Sequence, residues 1–191
     1  MTNRCDWVSD HPLYIAYHDH EWGVPVHDDQ KLFEMLILEG AQAGLNWLTI
    51  LKKREGYRRA LANFDPNIVA TFKDEKTEAL RNDTSIIRNY LKIAAAIQNA
   101  KMFLKVQKEF GSFDAYIWGF VGKNPIQNSW QSLVDVPAKT HISEVMSKEL
   151  KKREFRFVGP TICYAFMQAT GMVNDHTTDC FRYQELCAQP Q

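Results

Sequence analysis

The chain has 191 residues, 45 % of them apolar and 24 % charged. These are the proportions of an ordinary globular protein, and they exclude collagen-like, disordered and disulfide-scaffold classes. Its 23 basic and 23 acidic residues cancel, which argues against holding nucleic acid mainly by bulk charge but leaves room for a local basic patch.

The predicted elements are helices almost throughout. Asp28 or Asp29 caps a first clear helix, with Leu32, Phe33, Leu36 and Ile37 at helical spacing and Gly44 as its stop. Asn46 caps the next, over residues 47–62, which ends before Asp65-Pro66. A turn-rich stretch follows, then a brief helix over 74–80. Ser85 opens the longest segment, with Ile86, Ile87, Tyr90, Ile93, Ala94, Ile97 and Met102 on one face and Gly111 at its end. Residues 113–121 are short, aromatic and buried in expectation. Asn124-Pro125 and Val136-Pro137 bracket a loop carrying Trp130, and the last two helices cover 142–152 and 160–170. No alternating strand, internal repeat or flexible linker breaks this pattern, so the expectation is an all-α fold in a single unit over residues 1–191.

No apolar run approaches the roughly 18–20 residues of a membrane span, and no charged-then-apolar signal segment opens the chain. The cytoplasm is the expected location. A neutral chain without an exposed apolar stripe is expected to be a monomer.

Four cysteines in a chain long enough to build its own core raise the question of a metal rather than of disulfides. Cys5 and His18 stand near the start, with twelve residues between them, and His176 and Cys180 near the end, with three. An i, i+4 pair on a helical turn presents both side chains on one face, as two ligands of a tetrahedral ion require. Two thiolates and two imidazoles select zinc over hard, oxygen-seeking cations. The spacing is not that of a zinc finger, and His20, His27 and Cys187 are rival ligands in the same neighbourhoods. A buried thiol and a surface histidine at each end are the plainer alternative.

A second group of residues lies around the last two helices. Residues 148–153 form a basic run, followed by Phe155, Arg156, Phe157, Val158, Gly159, Pro160 and Thr161. Glycine before a proline at the first helical position makes a tight turn with outward backbone amides, which suits a phosphate. An ordinary helical hairpin with a solvated basic end fits the same residues. The third group is aromatic: Trp7, Tyr14, Tyr17, Trp22 and Trp47, interleaved with Glu39, Gln42 and Asn46. An aromatic box stacks on a planar, especially cationic, ring, while a carboxylate accepts hydrogen bonds from its edge. Glu39 sits in an apolar stretch, where a carboxylate needs a partner or a purpose.

Several blocks together carry a family resemblance. Cys5-Asp6-Trp7, Tyr14-Ile15-Ala16-Tyr17-His18-Asp19, Glu21-Trp22-Gly23-Val24-Pro25 and Leu38-Glu39-Gly40-Ala41-Gln42-Ala43-Gly44-Leu45-Asn46-Trp47 resemble the 3-methyladenine DNA glycosylase I (Tag) family. So do Phe157-Val158-Gly159-Pro160-Thr161-Ile162-Cys163-Tyr164-Ala165-Phe166-Met167-Gln168-Ala169 and Val173-Asn174-Asp175-His176. The resemblance runs to about Cys180 and leaves residues 181–191 aside.

It implies a helix-hairpin-helix DNA glycosylase fold with one structural zinc ion on Cys5, His18, His176 and Cys180, joining the two ends of the chain. It implies a DNA-gripping hairpin over 142–169, with Lys151, Lys152, Val158, Gly159 and Thr161 against the backbone and Leu45 as the wedge. Tyr17, Glu39 and Trp47 fall at the base pocket, with Trp7, Tyr14 and Trp22 as walls. The implied substrate is alkylated double-stranded DNA and the released product free 3-methyladenine, with Glu39 as the catalytic residue and no lyase step. Many helix-hairpin-helix glycosylases carry glycine where this chain has Phe157, and an aspartate shortly after the second hairpin helix. Asp175 and Asp179 lie in that vicinity, but the resemblance gives neither that role.

Overall fold

The fold was obtained as a computed structural model that describes residues 3–188. Ten α-helices carry nearly all of its regular structure. They are α1 (Pro12–His20), α2 (Asp29–Gln42), α3 (Trp47–Ala60), α4 (Pro66–Val69), α5 (Asp74–Asn82), α6 (Tyr90–Phe110), α7 (Phe113–Ile117), α8 (His141–Lys152), α9 (Pro160–Ala169) and α10 (Phe181–Cys187). The all-α expectation therefore holds, with one small exception. Two-residue strands β1 (Ile126–Gln127) and β2 (Val173–Asn174) pair in parallel, a bridge too short to leave an alternating pattern.

Helix α2 lies at the centre. Every residue from Leu32 to Ala41 is buried, and the helix packs against α3, α6, α7 and α9. The two neighbouring aspartates at its start divide their work. Asp28 caps α2 by accepting from Lys31 N at 2.8 Å, whereas Asp29 reaches across to accept from Phe113 N and Asp114 N, both at 2.8 Å, at the start of α7. Asn46 caps α3 as its sequence position suggests.

Besides the short α4 inside the turn-rich stretch, three helices depart from the sequence expectation. Helix α1 begins at Pro12 behind His11, whose Nδ1 accepts from Leu13 N at 3.1 Å; histidine is not a residue that announces a cap. The longest helix opens at Tyr90, not Ser85, because Asn89 caps it. Asp83 holds Ser85 in a turn, accepting from its backbone N at 2.8 Å and its hydroxyl at 2.6 Å. The chain after Thr177 re-enters the fold as α10, and Phe181 N donates to Asn3 O at 3.0 Å, bringing the two ends together.

The segment after α1 runs along the end of α9, where Gly23 N donates to Gln168 O and Val26 N to Thr170 O, each at 3.0 Å. The approach is close enough that Gly171, at φ +69°, has the carbonyl carbon of Val24 2.3 Å from where a Cβ would stand. Only glycine fits that position on both counts.

Candidate functional site

The four metal-ligand candidates converge. Cys5, His18, His176 and Cys180 are all buried, and their ligand atoms lie within 4.8 Å of one another. Cys180 Sγ is 3.5 Å from His18 Nε2 and 3.4 Å from His176 Nδ1, and Cys5 Sγ is 3.5 Å from His176 Nδ1. A tetrahedron with metal–sulfur bonds of about 2.3 Å and metal–nitrogen bonds of about 2.0 Å has edges of about 3.3–3.8 Å, so these spacings fit one ion. Each imidazole uses its other nitrogen on an outer partner: His18 Nδ1 meets Asp19 Oδ1 at 2.8 Å and His176 Nε2 meets Trp22 O at 3.1 Å. Such partners orient metal-binding histidines. Asp19 is in turn gripped by Arg4, which holds its carboxyl down at about 2.

The thiols are coupled. The hydrogen bond from Cys5, then those from the two histidines, hold the Cys180 thiol well below the ordinary thiol range. That same bond and burial push Cys5 up. The rival ligands lie elsewhere. His20 is exposed, His27 bonds Asp114 and stacks on Trp118, and Cys187 lies beside Gln127 and Asn174.

Beside the cluster lies a cavity of about 190 Å³, lined by Trp7, Tyr17, Trp22, Glu39 and Trp47 among others. Drug-sized sites run to roughly 300–1,000 Å³, so this one suits a single small ring system. Trp7 meets Trp22 edge-on with centroids 5.0 Å apart, and Tyr17 lies 5.2 Å from Trp47. Tyr14 is not among the lining residues; it packs edge-on behind Trp7 at 5.6 Å.

Glu39 is 3 % exposed, and its Oε2 has no hydrogen-bond partner. Burial pushes its carboxyl up to about 8. The Nε1 atoms of Trp7 and Trp47 are likewise buried without partners. Buried polar groups are nearly always satisfied, so three open atoms around one cavity mark a place where a ligand supplies the missing partners. Burial, and after it the charge of Glu39, raises the Tyr17 phenol well above its ordinary value.

Two supports of the site escaped the sequence reading. Asp175 lines the cavity and accepts four hydrogen bonds, from Asn128 Nδ2 (2.6 Å), Trp130 Nε1 (2.8 Å), Tyr164 OH (2.7 Å) and Gln168 Nε2 (2.8 Å). With its acceptor positions filled, it ties the Trp130 loop to α9. Asp179 is exposed and holds Asn3. The other support is Arg54, buried between Glu34 and Glu21 at 2.7 Å from each. It fixes the segment carrying Trp22 to α3 and, against the upward push of burial, holds Glu21 down at about 2.

The methyladenine glycosylase family matches this chain over residues 7–183. The chain belongs to that family. It is 52 % identical over 180 residues to the DNA-3-methyladenine glycosylase 1 of Escherichia coli (strain K12), covering 94 % of this chain and 96 % of that one. A crystal structure of 3-methyladenine DNA glycosylase I superposes with a TM-score of 0.92 at 53 % identity, over 94 % of this chain and 98 % of the other. A second structure, on the structural basis of 3-methyladenine recognition by the Staphylococcus aureus enzyme, superposes with a TM-score of 0.91 at 34 % identity. It covers 94 % of this chain and 96 % of that one.

In this glycosylase the remaining sequence-predicted residues fall on two loops. Leu45 is 40 % exposed and sits between Gln42 and Trp47, both of which line the cavity, so its loop stands on the rim. Gly159 caps α9, with Pro160 at its first position, and Thr161 is exposed beside it. Val158 is buried, its carbonyl accepting from Ser147 Oγ at 2.6 Å, so any contact it makes outward falls to its backbone. Of the basic run, Arg153 is committed to Glu109 and Lys152 pairs with Glu149 at 2.6 Å, while Lys151 is exposed. The glycosylase has no helix long and apolar enough to cross a membrane among the described residues.

Proposed function

We propose that this glycosylase excises 3-methyladenine from alkylated double-stranded DNA, hydrolysing the N-glycosidic bond in one step as a single catalytic unit of the cytoplasm. The observation that carries the reading is the unpaired Glu39 carboxyl, buried among edge-on and tilted aromatics in a cavity of base size. A base stacked and paired inside a duplex cannot enter this cavity, so the nucleotide must be extruded, at a cost of a few kcal/mol in stacking. Leu45 on the rim fills the gap, and the α8–α9 turn, as a helix-hairpin-helix element over residues 142–169, grips the backbone. Its backbone amides at Gly159 and Thr161 suit a phosphate oxygen.

Methylation at N3 makes adenine cationic. Trp47 and Tyr17 stack on the ring, and the incoming positive charge lowers the Glu39 carboxyl from its raised value, leaving a carboxylate that accepts from the edge of the base. The bond from N9 to the sugar breaks with its electron pair going to the base, which leaves neutral. Water supplies hydroxyl to the sugar carbon and releases its second proton to solvent. No lysine is among the residues that line the cavity, which supports water rather than an amine as the nucleophile.

We infer that the Cys5, His18, His176 and Cys180 cluster holds zinc. Two sulfurs and two imidazole nitrogens that lie within 4.8 Å of one another can supply all four ligands of a closed tetrahedral site. The ion supplies a cross-link between the two ends of the chain and keeps the Trp22 carbonyl, through His176, in place at the cavity wall.

The deciding experiment is chromatographic detection of free base released from methylated duplex DNA by zinc-loaded protein. Release of 3-methyladenine, with 7-methylguanine left in place, is expected; folded protein that releases no methylated base overturns the reading. A second measurement addresses the hairpin. Replacing Lys151 and Lys152 by alanine is expected to weaken binding to duplexes of any sequence and to reduce the slope of log affinity against log salt by about 1 to 2. An unchanged slope removes these lysines from the interface.

A further inference from the structure

Helix α6 carries two polar side chains that the mechanism above does not use. Lys92 Nζ donates to Ala41 O and to Ala43 O, both at 2.7 Å. Those carbonyls end α2, immediately before the rim loop that carries Leu45. Asn99, 3 % exposed, makes a two-way pair with a single residue of the turn between α8 and α9. Its Nδ2 donates to Arg156 O at 2.9 Å and its Oδ1 accepts from Arg156 N at 2.8 Å.

Positions seven apart stand on one face of a helix, about 10 Å apart along its axis. One rigid element of 21 residues thus grips the backbone of both loops assigned to DNA. The chemistry suits each end. The last carbonyls of a helix carry its negative pole and lack intrahelical donors, so an ammonium satisfies both needs there. Residues 154–157 include two in the left-handed region, Glu154 at φ +65° and Phe157 at φ +55°, conformations that persist only where surrounding contacts hold them. The two gripped pieces also touch: a Cβ at Gly40 would stand 3.3 Å from Phe157 Cβ.

We propose that α6 is the spacer that fixes the rim loop against the hairpin turn, with Lys92 the positioning residue for the wedge and Asn99 that for the backbone grip. The proposal rests on the DNA reading given above. The wedge must enter one gap in the stack while the turn holds the neighbouring backbone, so the two loops need a fixed separation. Lys92 is not among the residues that line the cavity, and other contacts, including the Asp175 and Arg54 anchors, hold its walls.

The proposal is tested with Lys92→Met, Lys92→Arg and Asn99→Leu in the full zinc-loaded chain. Single-turnover excision is measured on a methylated duplex and on the same strand unpaired, and tryptophan fluorescence reports binding of free 3-methyladenine. Lys92→Met is expected to lose tenfold or more on duplex. Its single-strand rate and its free-base Kd are expected to stay within twofold, because neither needs a wedge, and Lys92→Arg is expected to restore most of the duplex rate. Asn99→Leu is expected to raise KM several-fold on both DNA forms, which carry the same backbone, while kcat and the free-base Kd stay within twofold. Equal losses by Lys92→Met on both DNA forms, no loss on duplex, no rescue by arginine, or an unchanged KM in Asn99→Leu overturn the spacer role. Wild-type protein that releases base from neither DNA form overturns the functional reading, and this proposal with it.

Discussion

Glu39→Gln is expected to slow release of 3-methyladenine from duplex DNA by about 100-fold, the scale on which a single preorganised polar group acts, while duplex affinity stays within about twofold. The substitution keeps size and polarity but removes the charge that answers a cationic ring. Equal loss of affinity and rate would remove Glu39 from the pocket chemistry. A pH signature accompanies the rate. The free protein's carboxyl titrates at about 8, so kcat/KM is expected to rise with pH up to that value. The corresponding limb of kcat lies lower, because the bound cation lowers the pKa. Glu39→Gln lacks both limbs. Stability carries the same mark with the opposite sign. Folded Glu39 keeps its proton to about pH 8, whereas the unfolded side chain releases it near 4.5. Between those values the folded state binds more protons, so this group's contribution to stability falls as pH rises. Thermal unfolding from pH 5 to 9 should show that decline in the native protein and a flatter profile in Glu39→Gln.

The second large effect belongs to the metal cluster. Cys180→Ser is expected to abolish stoichiometric zinc, measured by elemental analysis, and to destabilise the fold by on the order of 4 kcal/mol. For a chain of this size that is a fall in Tm of about 8–16 °C. Cys180 is the right target because its sulfur lies against both histidines. Excision should disappear along the same chelator titration that unfolds the protein, as a structural ion requires. Retention of one equivalent of zinc by Cys180→Ser would transfer the ligand role to another thiol. Loss of activity from a protein that stays folded without zinc would make the ion catalytic.

The parts of this fold that were legible in the sequence are those whose signals are local. Asp28 and Asn46 cap the helices they precede, and Gly159-Pro160 opens α9 where the dipeptide stands. Glu39 could be placed inward because its neighbours along α2 are apolar. What could not be read depends on partners far away in the chain. Helix α1 has no ordinary capping residue and α6 starts five residues late, because Asp83 takes Ser85 into a turn. Asp175 looks like a mere neighbour of His176 until Asn128, Trp130, Tyr164 and Gln168 are seen to converge on it. Tyr14 shares the aromatic composition of the pocket without reaching it, since Trp7 stands between. Lys92 and Asn99 leave no trace at all, because their partners are main-chain atoms. The cluster itself was ambiguous by spacing, and only the resemblance singled out its four ligands from His20, His27 and Cys187.

The metal cluster also orders events in time. Its four donors come from two short segments separated by more than 150 positions, with α2 to α9 between them. Contacts of such sequence separation carry the greatest chain-closure cost and form late in folding. The aromatic wall made by Trp7 and Trp22 is fastened to those same segments, Trp22 through its carbonyl on His176. The α2–α9 interior has no need of those end-to-end contacts, so it is expected to form before the Trp7–Trp22 wall is complete. On the proposed reading, grip on the double helix then precedes discrimination of damage, and closure of the Cys/His cluster is the step that converts one into the other.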